Sequence, residues 1–310
     1  MPTIQSTYVD RILTQVSVKY TNPEGSFVAE KVFPTVNVEK RTGKYFVYDK
    51  SNLRAVDSRR SGKAYAKEAD FGLSKSDYGP LLEHSLRRFI ENDEFTQSDD
   101  PYTPRIDTTS ALTEALQIEK ENILATKLLD TGTVTNNTTL SGTSQWSDFD
   151  NSDPFSDITT AITTVKGKSL ITPNTLVLSW PVWVKLRNHP DFIERVKYSS
   201  LGMLTTENLK ELFPEITNVI IAGAMYNSAN EGATDSLGYV WGKSAWLMNV
   251  APVPALRTVS AGYHLQLSNA RTVENWTRDD NKGEYVQVTD YYEPKLVAAD
   301  AIYLIKNAVA

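Results

Sequence analysis

Apolar positions change their spacing several times along this chain, and each change marks a different kind of element. From residue 1 to 40, short apolar runs alternate with turn formers, as in Tyr20-Thr21-Asn22-Pro23-Glu24-Gly25, and Val32-Phe33-Pro34 ends an apolar step. Such a stretch is too broken to build a core of its own. Lys44-Tyr45-Phe46-Val47-Tyr48 and Ala64-Tyr65-Ala66 read as strands on either side of a polar, basic segment from Asp49 to Lys63, which predicts a long, exposed hairpin. A period of 3.6 residues follows. Asp107 is placed to cap a helix whose Ala111, Leu112, Ala115, Leu116, Ile118, Ile123, Ala125 and Leu129 share one broad face, and Gly132 is placed to end it. At a rise of ~1.5 Å per residue, a helix from Thr108 to Thr131 runs roughly 30 to 35 Å, a length suited to a structural spine.

A polar loop rich in Thr, Asn, Gly and Ser leads to a second helix, signalled by Asp153 before Pro154 with Phe155, Ile158, Ile162 and Val165 on one face. From Pro173 onward the pattern changes again. Strands at Thr175 to Trp180, Asn218 to Ile221 and Tyr239 to Asn249 alternate with short helices at Val182 to Arg187 and Glu207 to Phe213, predicting a mixed sheet with helices against it. Arg271 to Arg278 and Glu284 to Tyr292 flank Asp279-Asp280-Asn281-Lys282-Gly283, a hairpin turn. Lys295 to Lys306 is apolar enough for a final buried element. The fold class is α+β.

Composition narrows the chemistry. The 310 residues are 40% hydrophobic and 23% charged, enough for one large domain or two intertwined ones. With no cysteine, disulfides, thiol nucleophiles and cysteine-held metals are excluded. A net charge of -6 argues against a protein that grips nucleic acid through its phosphates. Met1 to Tyr20 interleave Asp10, Arg11 and Lys19 with apolar residues, so no signal peptide is readable and synthesis in the cytosol is expected, with no membrane association.

Candidate catalytic motifs fail one by one. Gly242-Lys243-Ser244 lacks the phosphate-loop glycine, position 237 being Leu, and reads as a turn between strands. Asp148, Asp150 and Asp153 lack the glycine and glutamate of a calcium loop, and helix capping by Asp153 accounts for the last of them. His84, His189 and His264 lie far apart, although folding could bring His189 near Asp191 and a serine. No catalytic residue, cofactor site or metal site is expected. One charge pattern has content: Arg54, Arg59, Arg60 and Lys63 make a basic hairpin tip, and Glu91, Asp93, Glu94, Asp99 and Asp100 make an acidic stretch with no basic residue between 91 and 100.

The order of these segments resembles the major capsid proteins of tailed bacteriophages, with the Hong Kong 97-type fold. The resemblance covers nearly the whole chain. It is carried by Tyr20-Thr21-Asn22-Pro23-Glu24, by Val32-Phe33-Pro34 followed by Gly43-Lys44-Tyr45-Phe46-Val47-Tyr48, and by Trp146-Ser147-Asp148 running into Asn151-Ser152-Asp153-Pro154. Pro173-Asn174-Thr175-Leu176-Val177, Leu186-Arg187-Asn188-His189-Pro190, Tyr239-Val240-Trp241-Gly242-Lys243 and Val297-Ala298-Ala299-Asp300-Ala301 continue it. It implies an N-terminal arm at 1–40, an extended loop at 41–80, a peripheral domain at 81–165 with a spine helix at 108–131, and an axial domain at 166–267. Residues 268–292 would then be a hairpin returning to the peripheral domain, and 293–310 a C-terminal element of the axial domain.

The function so implied is structural and non-enzymatic: copies of the chain assemble as pentamers and hexamers into an icosahedral virion capsid that encloses double-stranded DNA. The partners are the chain itself, with a separate scaffolding protein, a portal and a decoration protein as others such a shell takes. Some members of the family crosslink a loop lysine to a neighbour's asparagine; Lys50 or Lys63 would be the lysine here, but the sequence identifies no partner for it and no crosslink is expected. The basic tip of one subunit is expected to dock on the acidic stretch of the next. Two other readings remain at this point: an encapsulin-like nanocompartment shell, and a hydrolase using two of the 38 carboxylates.

Overall fold

The computed structural model describes residues 21–48, 50–55, 57–63, 65, 66, 68, 72–97, 103–196, 204–230, 232–253, 258–268, 271–278, 280 and 282–310. Along the chain come α1 (Ala29–Val32), β1 (Thr35–Val38), β2 (Gly43–Tyr48), β3 (Leu73–Tyr78), β4 (Leu82–Glu91), α2 (Asn92–Thr96) and the long α3 (Pro104–Leu129). Then follow β5 (Asn137–Thr139), α4 (Pro154–Ser169), β6 (Thr175–Ser179), α5 (Trp180–Leu186), α6 (Pro190–Val196), α7 (Thr206–Leu212), β7 (Asn218–Ala222), β8 (Met225–Asn227) and β9 (Leu237–Tyr239). The chain closes with β10 (Ala245–Met248), β11 (Gly262–Leu267), β12 (Thr272–Arg278), β13 (Gly283–Leu296) and β14 (Ile302–Lys306).

One sheet is organised around β13, which pairs with β4 on one edge and with β12 and then β11 on the other. Gln266 faces Tyr292 and Thr272 faces Thr289, so between these pairs five residues on one side stand against two on the other. β11 and β12 are therefore one long strand interrupted by a three-residue bulge. Asp290 closes that bulge. Its buried carboxylate accepts from Gln266 Nε2 at 2.9 Å and from Arg271 Nη2 at 3.1 Å, charge-assisted bonds that hold both flanks of the interruption. β1 extends the sheet, parallel to β11.

Phe33, just before β1, lies over Gly262. A Cβ at that glycine would stand 2.3 Å from the ring and 2.6 Å from the Lys295 carbonyl, so no side chain fits. Gly262→Ala is expected to destabilise the subunit by about 1 to 3 kcal/mol through overpacking, read by urea denaturation.

The second sheet has the order β5-β14-β10-β6-β7. Its central strands β6, β10 and β14 are buried on both faces, which is why β6 and β10 read as apolar runs. Leu176, Leu178, Ala245, Leu247 and Ile305 face α4 to α7 with Ile158, Val165, Leu186, Phe192 and Leu209. Val177, Trp246, Met248, Ile302 and Leu304 face the other way, onto Leu124, Ala125 and Leu128 of α3 and Val32 and Phe33. The expected division at 165/166 falls inside α4, and that at 267/268 falls at the bulge of the first sheet.

α3 connects the two sheets. Its 26 residues, about 39 Å at ~1.5 Å each, reach from Arg105 beside Glu284 of the first sheet to Leu128 against the second. The helix starts four residues before the expected Thr108, because Thr103 is its cap and Pro104 opens the first turn. Asp107 instead reaches back to accept the Thr103 N–H at 2.9 Å. At the other end Asp130 ends the helix at Leu129, its carboxylate accepting from the Gly132 N–H. The buried stripe also differs from the expected one: Ala111 and Ala115 are exposed, while Leu116, Lys120, Glu121, Leu124, Ala125 and Leu128 are buried.

The Asp153 cap is formed, with the Ser156 N–H donating to its carboxylate at 2.9 Å. The expected strand Tyr239 to Asn249 is broken after Tyr239 by a turn with Gly242 at φ 59°, as the turn reading of Gly242-Lys243-Ser244 requires. Ala64-Tyr65-Ala66 is not the second strand of the hairpin. Tyr48 pairs with Leu73 and Gly43 with Tyr78, so β3 supplies it. Two alanines give a strand little to hold in register, whereas Leu73–Tyr78 offers a full pairing partner.

Candidate functional site

β2 and β3 form a two-stranded ribbon that among the described residues joins no other strand. A hairpin of this kind is marginal in water by itself, so its outward chemistry matters. One face carries Lys44 opposite Asp77, Phe46 opposite Lys75 and Tyr48 opposite Leu73. The first pair is an ion pair at 3.5 Å and the second a cation–π contact at 5.5 Å. Phe46 is 54% exposed, Leu73 53% and, just beyond the ribbon, Leu53 66%. Large apolar side chains left open beside one another in this way mark an interaction site.

Asn52 closes the ribbon's end by a two-way amide bridge to the Gly72 backbone, at 2.8 and 3.0 Å. Beside it, the Lys50 ammonium donates to the Lys168 carbonyl at the end of α4 (2.7 Å) and meets the Asp300 carboxylate. Beyond that neck stand Arg54, Arg59, Arg60 and Lys63, all exposed. The acidic residues sit elsewhere. Glu91 ends β4, and Asp93 and Glu94 occupy the first turn of α2, the favourable end for negative charge. Glu94 accepts from Arg88 at 3.0 Å. Asp99 and Asp100 lie outside the described residues.

Residues 22–33 are fastened along α3 by buried carboxylate chemistry that the sequence reading missed. Asn22 donates its N–H to Glu114 at 2.9 Å and pairs through its side-chain amide with both backbone groups of Met225 at 3.0 Å. About two turns further along, Glu121, 1% exposed, accepts the backbone N–H groups of Val28 and Ala29 and the indole N–H of Trp241 at 2.6 Å. Burial pushes the Glu121 carboxyl up, against the pull of those donors. Next to it, Lys120 is buried and pairs with Glu30 at 2.7 Å; burial raises the Glu30 carboxyl, but the Lys120 bond and charge outweigh that and leave it below the usual range. The spacing of Lys120 and Glu121 with Leu116, Leu124 and Leu128 was the available signal: two charges at positions that the helical period marks as buried.

Folding does bring His189 to a serine and an aspartate, but in the reverse sense for catalysis. Asp191 donates its backbone N–H to Nδ1 at 3.3 Å and its carboxylate stands 3.5 Å from the same nitrogen, while Nε2 lies 3.0 Å from Ser152 Oγ. Ser152 in turn donates to the Asp148 carbonyl at 2.6 Å. A general base takes the proton of the hydroxyl beside it, and here that proton is already given to the Asp148 carbonyl. Burial also lowers the His189 pKa, against the opposing charges of Asp191 and Asp153. The group is a staple between α6 and the loop before α4.

No protein-family model matches the chain. It is 31% identical over 314 residues to the major capsid protein of Burkholderia phage BcepMu, covering 96% of each. It is 28% identical to the major capsid protein of Pseudomonas phage JBD67, covering 97% of each. Among solved structures, a phage-related protein from Bordetella bronchiseptica RB50 matches with a TM-score of 0.69 at 26% identity, over 93% of this chain and 94% of that one. The encapsulin of Synechococcus elongatus shares the fold alone, at 10% identity and a TM-score of 0.53.

Two sheets bridged by one long helix, with a two-stranded ribbon that among the described residues joins neither, make an α+β capsid fold of the Hong Kong 97 type. The end-to-end identity decides between kinds of shell. The chain belongs to the major capsid proteins of tailed phages: a non-catalytic structural protein of the virion that assembles with its own copies into the icosahedral head.

Proposed function

We propose that the ribbon tip of each subunit, with Arg54, Arg59, Arg60 and Lys63, docks on the acidic residues Glu91, Asp93, Glu94, Asp99 and Asp100 of its neighbour within the shell. The observation behind this is the ribbon itself: among the described residues it joins no other strand, its Phe46, Leu53 and Leu73 stand open, and Arg54, Arg59, Arg60 and Lys63 are exposed. Apolar contact would supply affinity and the charges would set register. An exposed pair contributes only about 0.2 to 1 kcal/mol, but a closed shell repeats each contact under symmetry.

In this reading residues 1–40 are the arm, 41–80 the extended loop and α3 the spine. The β13-centred sheet is the peripheral domain, and the β5-to-β7 sheet with α4 to α7 is the axial domain that meets its copies at the centre of pentamers and hexamers. Double-stranded DNA is contained more than bound, in keeping with a net charge of -6. Synthesis in the host cytoplasm, with a separate scaffold, a portal and a decoration protein, completes the proposal.

Arg59→Glu with Arg60→Glu is expected to leave the subunit folded and to cut shell yield and salt tolerance in sedimentation. Combining it with Glu91→Lys and Asp93→Lys should restore both. Unchanged yield and salt tolerance in the arginine variant would refute the docking.

A further inference from the structure

His264 of β11 is fully buried, and neither of its ring nitrogens has a hydrogen-bond partner among the described residues. Buried polar groups are as a rule paired, so this ring is an exception that calls for a cause. It is packed as an aromatic. Phe33 stands edge-on to it at 6.4 Å and Tyr292 at 6.0 Å, and Tyr292 in turn stacks on His84 of β4 at 4.2 Å. The Tyr292 hydroxyl and His84 Nε2 are also buried without partners, so rings from β4, β13 and β11 share one polar deficit.

The surroundings suit only the neutral form of His264. Burial brings its pKa down to about 3, and the charges of Lys120 and Lys127 on α3 push the same way. The acids of the surrounding elements are engaged elsewhere: Glu30 of α1 by Lys120, Glu119 of α3 by His84, Glu293 of β13 by Lys127, and Asp290 of β13 by Gln266 and Arg271. β1 carries no charged side chain. An imidazolium here would bring a full charge and two N–H donors to a place without an acceptor.

The strand beside this ring is lightly held. Among the described residues β1 pairs only with β11, over its four residues, with Thr35 opposite His264 and the His264 N–H donating to the Pro34 carbonyl at 3.0 Å. Short edge elements of this kind open before the body of a fold does.

We propose that His264 is a proton-operated latch on the N-terminal segment: its protonation in mild acid releases residues 29–38 from β11 and α3, while the second sheet stays folded. Water then reaches the ring, and Val32 and Phe33, buried in the closed form, open to another copy of the chain. The sign follows from linkage. A histidine whose folded pKa lies below its ordinary 6.5 stabilises the closed form fully above that value and loses its hold as pH falls toward the folded one. Glu30, held below the usual carboxylate range, acts in the same sense and Glu121, pushed up, in the opposite one, so the test keeps both and changes only His264.

Hydrogen exchange read by mass spectrometry on the full-length protein follows each segment separately. Between about pH 7.5 and about pH 4.5, protection factors of residues 29–38, corrected for the intrinsic exchange rate, should fall about a hundredfold, while β6 and β10 keep theirs. His264→Phe, which keeps a ring in the same packing and removes the proton, should show less than a tenth of that fall, and His264→Leu the same. An equal fall in the parent and in either folded variant would overturn the proposal. So would parent protection at residues 29–38 that does not change with pH, or protection lost across β6 and β10 at the same pH.

Discussion

Replacing Phe46 and Tyr48 together by serine will yield a folded subunit that forms no shells. Both side chains point from the same face of β2, opposite Lys75 and Leu73, and about half of each is open to solvent in the isolated chain. Folding therefore loses little: the core clusters lie in the two sheets and contain neither residue. Assembly loses much more. Burying a large aromatic side chain contributes about 1.5 to 3 kcal/mol, and each subunit in a shell would lose two such burials at a contact every copy repeats. Circular dichroism and thermal midpoint should match the parent within a degree or two, while size-exclusion chromatography should move from shells to subunits. Normal shells from this variant would show that the ribbon face is not an interface.

Glu121→Ala carries the largest expected cost to the subunit itself, about 3 to 5 kcal/mol, because it leaves two backbone N–H groups and an indole N–H buried without an acceptor. The loss should be local first. Residues 22–33 should become accessible to proteases and to hydrogen exchange before either sheet does. The same residue gives the fold a pH dependence with a definite sign. Burial holds the Glu121 carboxyl above its unfolded value, so between those two values the folded state binds more protons. Its contribution is complete below the unfolded pKa and is lost as pH rises through the folded one. Glu121→Gln, which keeps an acceptor and removes the titration, should flatten that part of the stability profile. An Ala variant as stable as the parent, with residues 22–33 equally protected, would remove Glu121 from the account.

What the sequence disclosed and what it hid divide along local and non-local lines. The α4 cap at Asp153, the apolar run of β6 and the strands around the 279–283 turn depend on residues within a few positions of one another, and each is where its pattern put it. The bulge that Asp290 closes depends on Gln266, Arg271 and Asp290 meeting across a sheet, and no window along the chain contains that information. The same holds for Glu121, whose partners lie about ninety residues before it and 120 after it. α3 is intermediate. Its length was readable to within a few residues, but an apolar count drew the stripe through Ala111 and Ala115 instead of Lys120 and Glu121. Charged side chains with internal partners invert the usual reading of burial.

The basic tip was legible as a charge run, and so was the acidic stretch, because both are surface features with short-range composition. The second strand of the ribbon was not. Its pairing is accompanied by the Tyr78 ring over Gly43, where a Cβ would meet a ring atom at 2.3 Å, and by the Asn52 bridge, neither of which leaves a periodic trace.

The most direct test of a shell subunit is negative-stain electron microscopy of the purified full-length protein, expressed alone and together with any scaffold encoded beside it. Uniform closed shells, or rings of five and six subunits, are the expected result. A stable, compact monomer under both conditions would contradict it.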